Sequence, residues 1–102
     1  MPNFPIEIIP FENQYAQDFY DLNAEWLRSY FYIEPYDEMV LSQPKKYILD
    51  SGGFIFLAKH QEEIVGVVSL INQKTYFELS KMAVKPNFRG QKLGEKLVLF
   101  CL

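Results

Sequence analysis

At 102 residues, 49% hydrophobic and 17% aromatic, the chain suits one compact domain with a modest core. No apolar run approaches the ~20 residues of a membrane-crossing helix, and Met1-Pro2-Asn3-Phe4-Pro5 lacks the basic and apolar regions of a signal peptide. The net charge of -3 is uneven: residues 1–73 carry 11 acidic and 4 basic side chains, a net -7, whereas 74–102 carry 2 and 6, a net +4. The acidic bulk argues against nucleic acid, and the basic end suits an anionic ligand. Acid-rich helices also fit a cationic amine substrate, although solvation of surface helices explains them equally well. Cys101 has no partner for an internal disulfide, and His60 is the single histidine, so no zinc cluster forms. A reducing, cytoplasmic setting is the simplest expectation.

Ile6 to Pro10 reads as a first strand, ended by Pro10. From Asn13 to Tyr30, the residues Tyr15, Phe19, Leu22, Trp26, Leu27 and Tyr30 fall at helical spacing, with Asp18, Asp21 and Glu25 on other faces. Phe31 to Pro35 breaks that helix. Asp37 is placed to cap a short helix over Glu38 to Leu41, and Pro44 to start a turn carrying Tyr47, Ile48 and Leu49. Asp50-Ser51-Gly52-Gly53 is a breaker. Phe54 to His60 and Ile64 to Ile71 form an antiparallel hairpin, and Tyr76 to Val84 a further strand ending at Lys85-Pro86-Asn87. Leu93, Leu97, Phe100 and Cys101 then recur at helical spacing. The order is strand, two helices, three strands, helix, an α+β domain over residues 1–102 with no internal repeat.

The last quarter carries the chemistry. Between the final strand and helix lies Arg89-Gly90-Gln91-Lys92-Leu93-Gly94. A glycine-bearing loop that opens a helix gathers unpaired N–H groups at the positive end of a dipole, a site suited to a diphosphate. The same spacing also describes a plain loop with a helix start. The longer string, Met82-Ala83-Val84-Lys85-Pro86-Asn87-Phe88-Arg89-Gly90-Gln91-Lys92-Leu93-Gly94, resembles the acetyl-coenzyme A motif of the GNAT family of N-acetyltransferases. Lys92 stands where the family usually has its middle glycine. The resemblance implies a mainly antiparallel fold with a helix pair crossing between the first two strands, and acetyl transfer to an amine by direct attack in a ternary complex. It further implies that Met82, Ala83 and Val84 pair with the pantetheine arm, and that Arg89, Gly90, Gln91, Lys92, Leu93 and Gly94 cradle the diphosphate of coenzyme A. The glycines are expected to allow positive φ and close approach.

Glu78 matches a strand glutamate that acts as general base in some family members. Strand alternation would put Glu78, Ser80, Met82 and Val84 on one face. A surface glutamate fits the same position. Tyr30, Phe31, Tyr32 and Tyr36 are candidates to line the amine pocket, with Glu34 and Asp37 to attract a cation; packing and solvation account for them as well. Trp26 reads as core, His60 carries no assigned chemistry, and Cys101 reads as a buried small hydrophobe. No Gly-Lys-Ser/Thr follows the loop, which disfavours a nucleotide-phosphate module.

Members of the family usually continue beyond this point, so the sequence reads as the first two-thirds of such a domain. A coenzyme A-binding or structural remnant without catalysis is the alternative to an enzyme. Self-association through the open edge of the last strand or the apolar final helix is expected. No metal and no membrane partner are implied.

Overall fold

The computed structural model describes residues 6–88 and 93–101. Four strands, β1 (Ile6–Pro10), β2 (Phe54–His60), β3 (Glu63–Asn72) and β4 (Phe77–Val84), form one antiparallel sheet in chain order. Helices α1 (Ala16–Tyr30) and α2 (Pro35–Ser42) cross between β1 and β2, and α3 (Leu93–Cys101) follows β4. The expected element order therefore holds, with strand ends displaced by a residue or so. No helix among the described residues is long and apolar enough to cross a membrane.

Each face of the sheet has its own core. On one, Phe19 and Leu22 of α1 and Val40 and Leu41 of α2 pack with Ile55, Leu57, Val67 and Ala83. On the other, Leu93 and Leu97 of α3 pack with Ala58, Val65, Val68 and Val84. β3 is buried on both sides, which is why it reads as a nearly unbroken apolar run. Its pairing with β2 slips: Ala58 faces Gly66 while Lys59 faces Ile64, so Val65 is an extra residue. The slip sends Ile64 to the α1–α2 side and Val65 to the α3 side. A Cβ on Gly66 would stand 3.2 Å from Leu97 Cδ1 and 3.4 Å from Ala58 Cβ, so glycine here lets α3 lie close to the sheet.

Three local details differ from expectation. Asp37 is not the cap of α2; the helix starts earlier, with Pro35 in its first turn and Glu34 before it. Proline's fixed φ suits the first helical position, and Asp37 instead accepts a hydrogen bond from Glu34 N–H at 3.2 Å. The turn after Pro44 winds as a π-helical turn over Lys45–Leu49, closed by Asp50 N–H on Lys45 O at 2.8 Å. In α1, Asn23 and Ala24 are buried though outside the apolar spacing, and Asn23 Nδ2 is satisfied by Phe19 O at 3.0 Å. Trp26 is half-buried against the α1–α2 core.

α3 covers only one end of its face. Phe54, Phe77 and Leu79 share that face and remain exposed, as do Leu99 and Phe100 on α3. The rings of Phe77, Phe54, Phe56 and Phe100 run in a chain with centroid separations of 5.8, 6.3 and 5.0 Å.

Candidate active site

The end of β4 and the start of α3 are brought together over a short connection. Lys85 N–H donates to Val65 O at 2.8 Å, and a 3₁₀ turn follows at Pro86–Phe88. The expected diphosphate residues Arg89, Gly90, Gln91 and Lys92 lie outside the described residues. The other five expected contacts adjoin one another. Val84 and Leu93 share the α3-side core, and Met82 Cε lies 3.7 Å from where a Cβ on Gly94 would stand. Ala83 is buried on the opposite side.

Gly94 differs from expectation. Its φ is not in the left-handed region, so no conformational need explains a glycine there. What its missing side chain provides is space: Met82 is the sole contact such a Cβ would meet among the described residues. Among the described residues, no other side chain fills the space beside Gly94 in the first turn of α3. The basic character of this end is also partly committed. Lys81 pairs with Asp37 at 2.7 Å, and Lys85 pairs with Glu63.

β4 is not a regular strand. Val67 faces Ala83 and Ser69 faces Ser80, so two positions of β3 span three of β4. Lys81 is the extra residue, with φ at 48°. The carbonyl of Ser80 beside the bulge accepts a hydrogen bond from the buried Ser69 hydroxyl at 2.6 Å. The bulge overturns the expected common face. Glu78 and Ser80, opposite Ile71 and Ser69, lie on the α1–α2 side with Ala83, whereas Met82 and Val84 lie on the α3 side. One added residue inverts the alternation beyond it. Because Lys85 bonds Val65, antiparallel alternation directs the polar groups of Ala83 to β3 and those of Met82 to the outer edge, where no further strand pairs among the described residues. Glu78 is exposed and accepts a hydrogen bond from Gln73 Nε2 at 3.1 Å.

A family model described as the Acetyltransferase (GNAT) family matches residues 16–102. The chain belongs to the GNAT acetyltransferase family. No curated protein matches it by sequence. Among solved structures, a GNAT acetyltransferase from Staphylococcus aureus Mu50 is similar at 27% identity and a TM-score of 0.82, over 94% of this chain and 62% of that one. An acetyltransferase from Streptococcus agalactiae has 23% identity and a TM-score of 0.73, over 94% and 65%. The PaiA N-acetyltransferase of Thermoplasma acidophilum, solved with coenzyme A, has 21% identity and a TM-score of 0.72, over 95% and 69%. This chain thus spans less than two thirds of the first two relatives.

In this GNAT domain a second concavity lies where α1 meets α2. It encloses about 580 Å³ and is lined by Tyr20, Arg28, Phe31, Tyr32, Ile33, Glu34, Pro35 and Glu38. Of the expected pocket residues, Phe31, Tyr32 and Glu34 are here. Tyr36 is exposed outside the lining, and Asp37 is held by Lys81 rather than offered to a cation. The side chain of Tyr30 lies outside the described features. Tyr20 donates to Glu38 at 2.8 Å, and that bond raises the phenol's pKa. The linings Tyr20, Arg28 and Glu38 are not apparent from the sequence, because they come from two helices whose crossing sets their meeting. His60 packs its ring 5.2 Å from that of Phe88, and burial pushes the Cys101 thiol up, which keeps it protonated.

Proposed function

We propose that the chain is an acetyl-CoA-dependent N-acetyltransferase that passes an acetyl group to an amine by direct attack in a ternary complex. The observation that carries this reading is the bulged end of β4, followed by a helix whose first turn carries Gly94, in a chain of the GNAT family. Coenzyme A bound to the Thermoplasma acidophilum relative supports the choice of carrier. When bound, acetyl-CoA supplies the acetyl group as an activated thioester.

The chain's own residues have three tasks. Main-chain groups of Met82 at the open edge hydrogen-bond the pantetheine arm and polarise the acetyl carbonyl, while Ala83 and Val84 anchor that edge through their buried side chains. The start of α3, with Leu93 and Gly94, presents its N–H groups to the diphosphate; Arg89, Gly90, Gln91 and Lys92 complete that cradle. Glu78 accepts the proton of the attacking amine. Between Glu78 and the bulge lie about 10 Å of strand, beyond the ~3 Å of direct proton transfer, so the proton travels through water.

One observation favours a second reading, coenzyme A binding without turnover: Glu78 is exposed and bonded to Gln73, away from the α3 side of β4. The two readings separate in one pair of measurements. Thiol release from acetyl-CoA is followed with a panel of amines while calorimetry follows coenzyme A binding. Amine-dependent release supports acyl transfer, binding alone supports the second reading, and neither sinks both.

A further inference from the structure

We infer that the Lys81–Asp37 ion pair is a positioning device, coupling the first turn of α2 to the bulge of β4 so that the amine cleft and the carrier-binding edge are held in one register. Its effect on amine use rests on the acyl-transfer reading; the coupling itself rests on geometry alone.

Lysine is a poor occupant of the left-handed region, and a φ of 48° requires that its surroundings hold it there. The holder is visible. Lys81 Nζ meets Asp37 Oδ1 at 2.7 Å across 44 positions of sequence, and both side chains are largely covered, 16% and 18% exposed. The same ammonium lies 5.9 Å from the centroid of the Tyr36 ring. Asp37 is itself fixed, since Oδ2 accepts the Glu34 N–H at 3.2 Å. One carboxylate thus ties the extra residue of β4 to the start of α2, and Glu34 and Pro35 at that start line the cleft. The Lys45–Asp50 pair is a useful contrast: it is local and more than half exposed, with nothing at either end to position.

Two variants separate coupling from folding. Lys81→Gly removes the ammonium and leaves a residue at ease with positive φ. Asp37→Asn removes the charge and keeps an oxygen for Glu34 N–H. Each is expected to raise the KM for amine about fivefold while the KM for acetyl-CoA stays within about twofold, and the double variant is expected to equal either single one. In hydrogen exchange, each variant lowers amide protection at the start of α2 and at Ala83, the neighbouring N–H that faces β3, whichever side is changed. An unchanged amine KM in both variants, additive effects, or exchange confined to the mutated element overturns the inference. Calorimetry with coenzyme A on the parent reads the underlying assignment separately: no binding removes the acyl-transfer reading, while the exchange result still decides the coupling.

Discussion

Single residues at the junction can be tested by what they lose. Ser69 is fully buried, and its hydroxyl serves the Ser80 carbonyl beside the bulge. Ser69→Ala removes that hydrogen bond from a buried site and is expected to destabilise by about 1–2 kcal/mol, read from denaturant midpoints at constant slope. The Lys81 hydrogen bond lowers the Asp37 pKa below its ordinary 3.8. A depressed acid stabilises the fold above the unfolded value and loses that contribution as pH falls through the folded one. Asp37→Asn should therefore flatten part of the stability loss below about pH 4 and leave the neutral-to-acid slope above it unchanged. For the proposed base, Glu78→Gln is expected to lower kcat/KM about a hundredfold at neutral pH. Full activity at every pH would dismiss that role.

At the scale of elements, local chemistry announced most of what formed. Pro10, the Gly52-Gly53 breaker and the Lys85-Pro86-Asn87 turn each interrupt an apolar pattern, so strands and helices could be bounded from their neighbours alone. The two bulges could not. Val65 and Lys81 are extra only with respect to a partner strand, and Gly66 beside the first is a local hint that does not fix which residue is extra. The misread face of Glu78 follows directly from the second of these. Asp37 was misplaced by three residues for a different reason: Pro35 was read as a breaker, although it also opens a helix. Packing of α3 against β3 offers a test at this scale. Gly66→Val must push Leu97 and Leu93 outward, at an expected cost of about 2–3 kcal/mol seen in thermal unfolding. A Cβ at position 94 would meet only Met82 Cε within the described residues, so Gly94→Val is expected to fold and still weaken coenzyme A binding by filling the space proposed for the diphosphate. Arg89→Ala should weaken it less, because it removes charge and leaves the main chain accessible. Calorimetry ranks the three.

For the whole molecule, the sheet has one well-covered face and one that α3 covers only in part. The ring chain from Phe77 to Phe100, with Leu79 on the edge strand and Leu99 on α3, forms an exposed apolar surface. Such a surface beside an unpaired edge favours association. We expect this 102-residue chain to self-associate with rising concentration, and Phe54→Lys with Leu79→Lys to suppress it; sedimentation showing a strict monomer of the parent at high concentration would sink the expectation. Architecture was the most readable property of the sequence, because a fold class depends on element order and on which faces are apolar. The cleft between α1 and α2 was legible only in its loop, at Phe31, Tyr32 and Glu34. Tyr20 and Glu38, 18 positions apart, meet through a helix crossing that no local pattern encodes.

The register of β4 makes Lys81 dispensable to the alternation of the strand, though not to the ion pair that ties it to α2. Excising it would leave Ser80, Met82, Ala83 and Val84 opposite Ser69, Val68, Val67 and Gly66 in plain alternation, with every side chain still facing the layer it faces now. Such a shortened chain should keep the sheet but lose the Lys81–Asp37 pair and the stability it contributes, while presenting a straightened, differently aimed border to any carrier. In this strand a single codon separates what the architecture requires from what the chemistry requires.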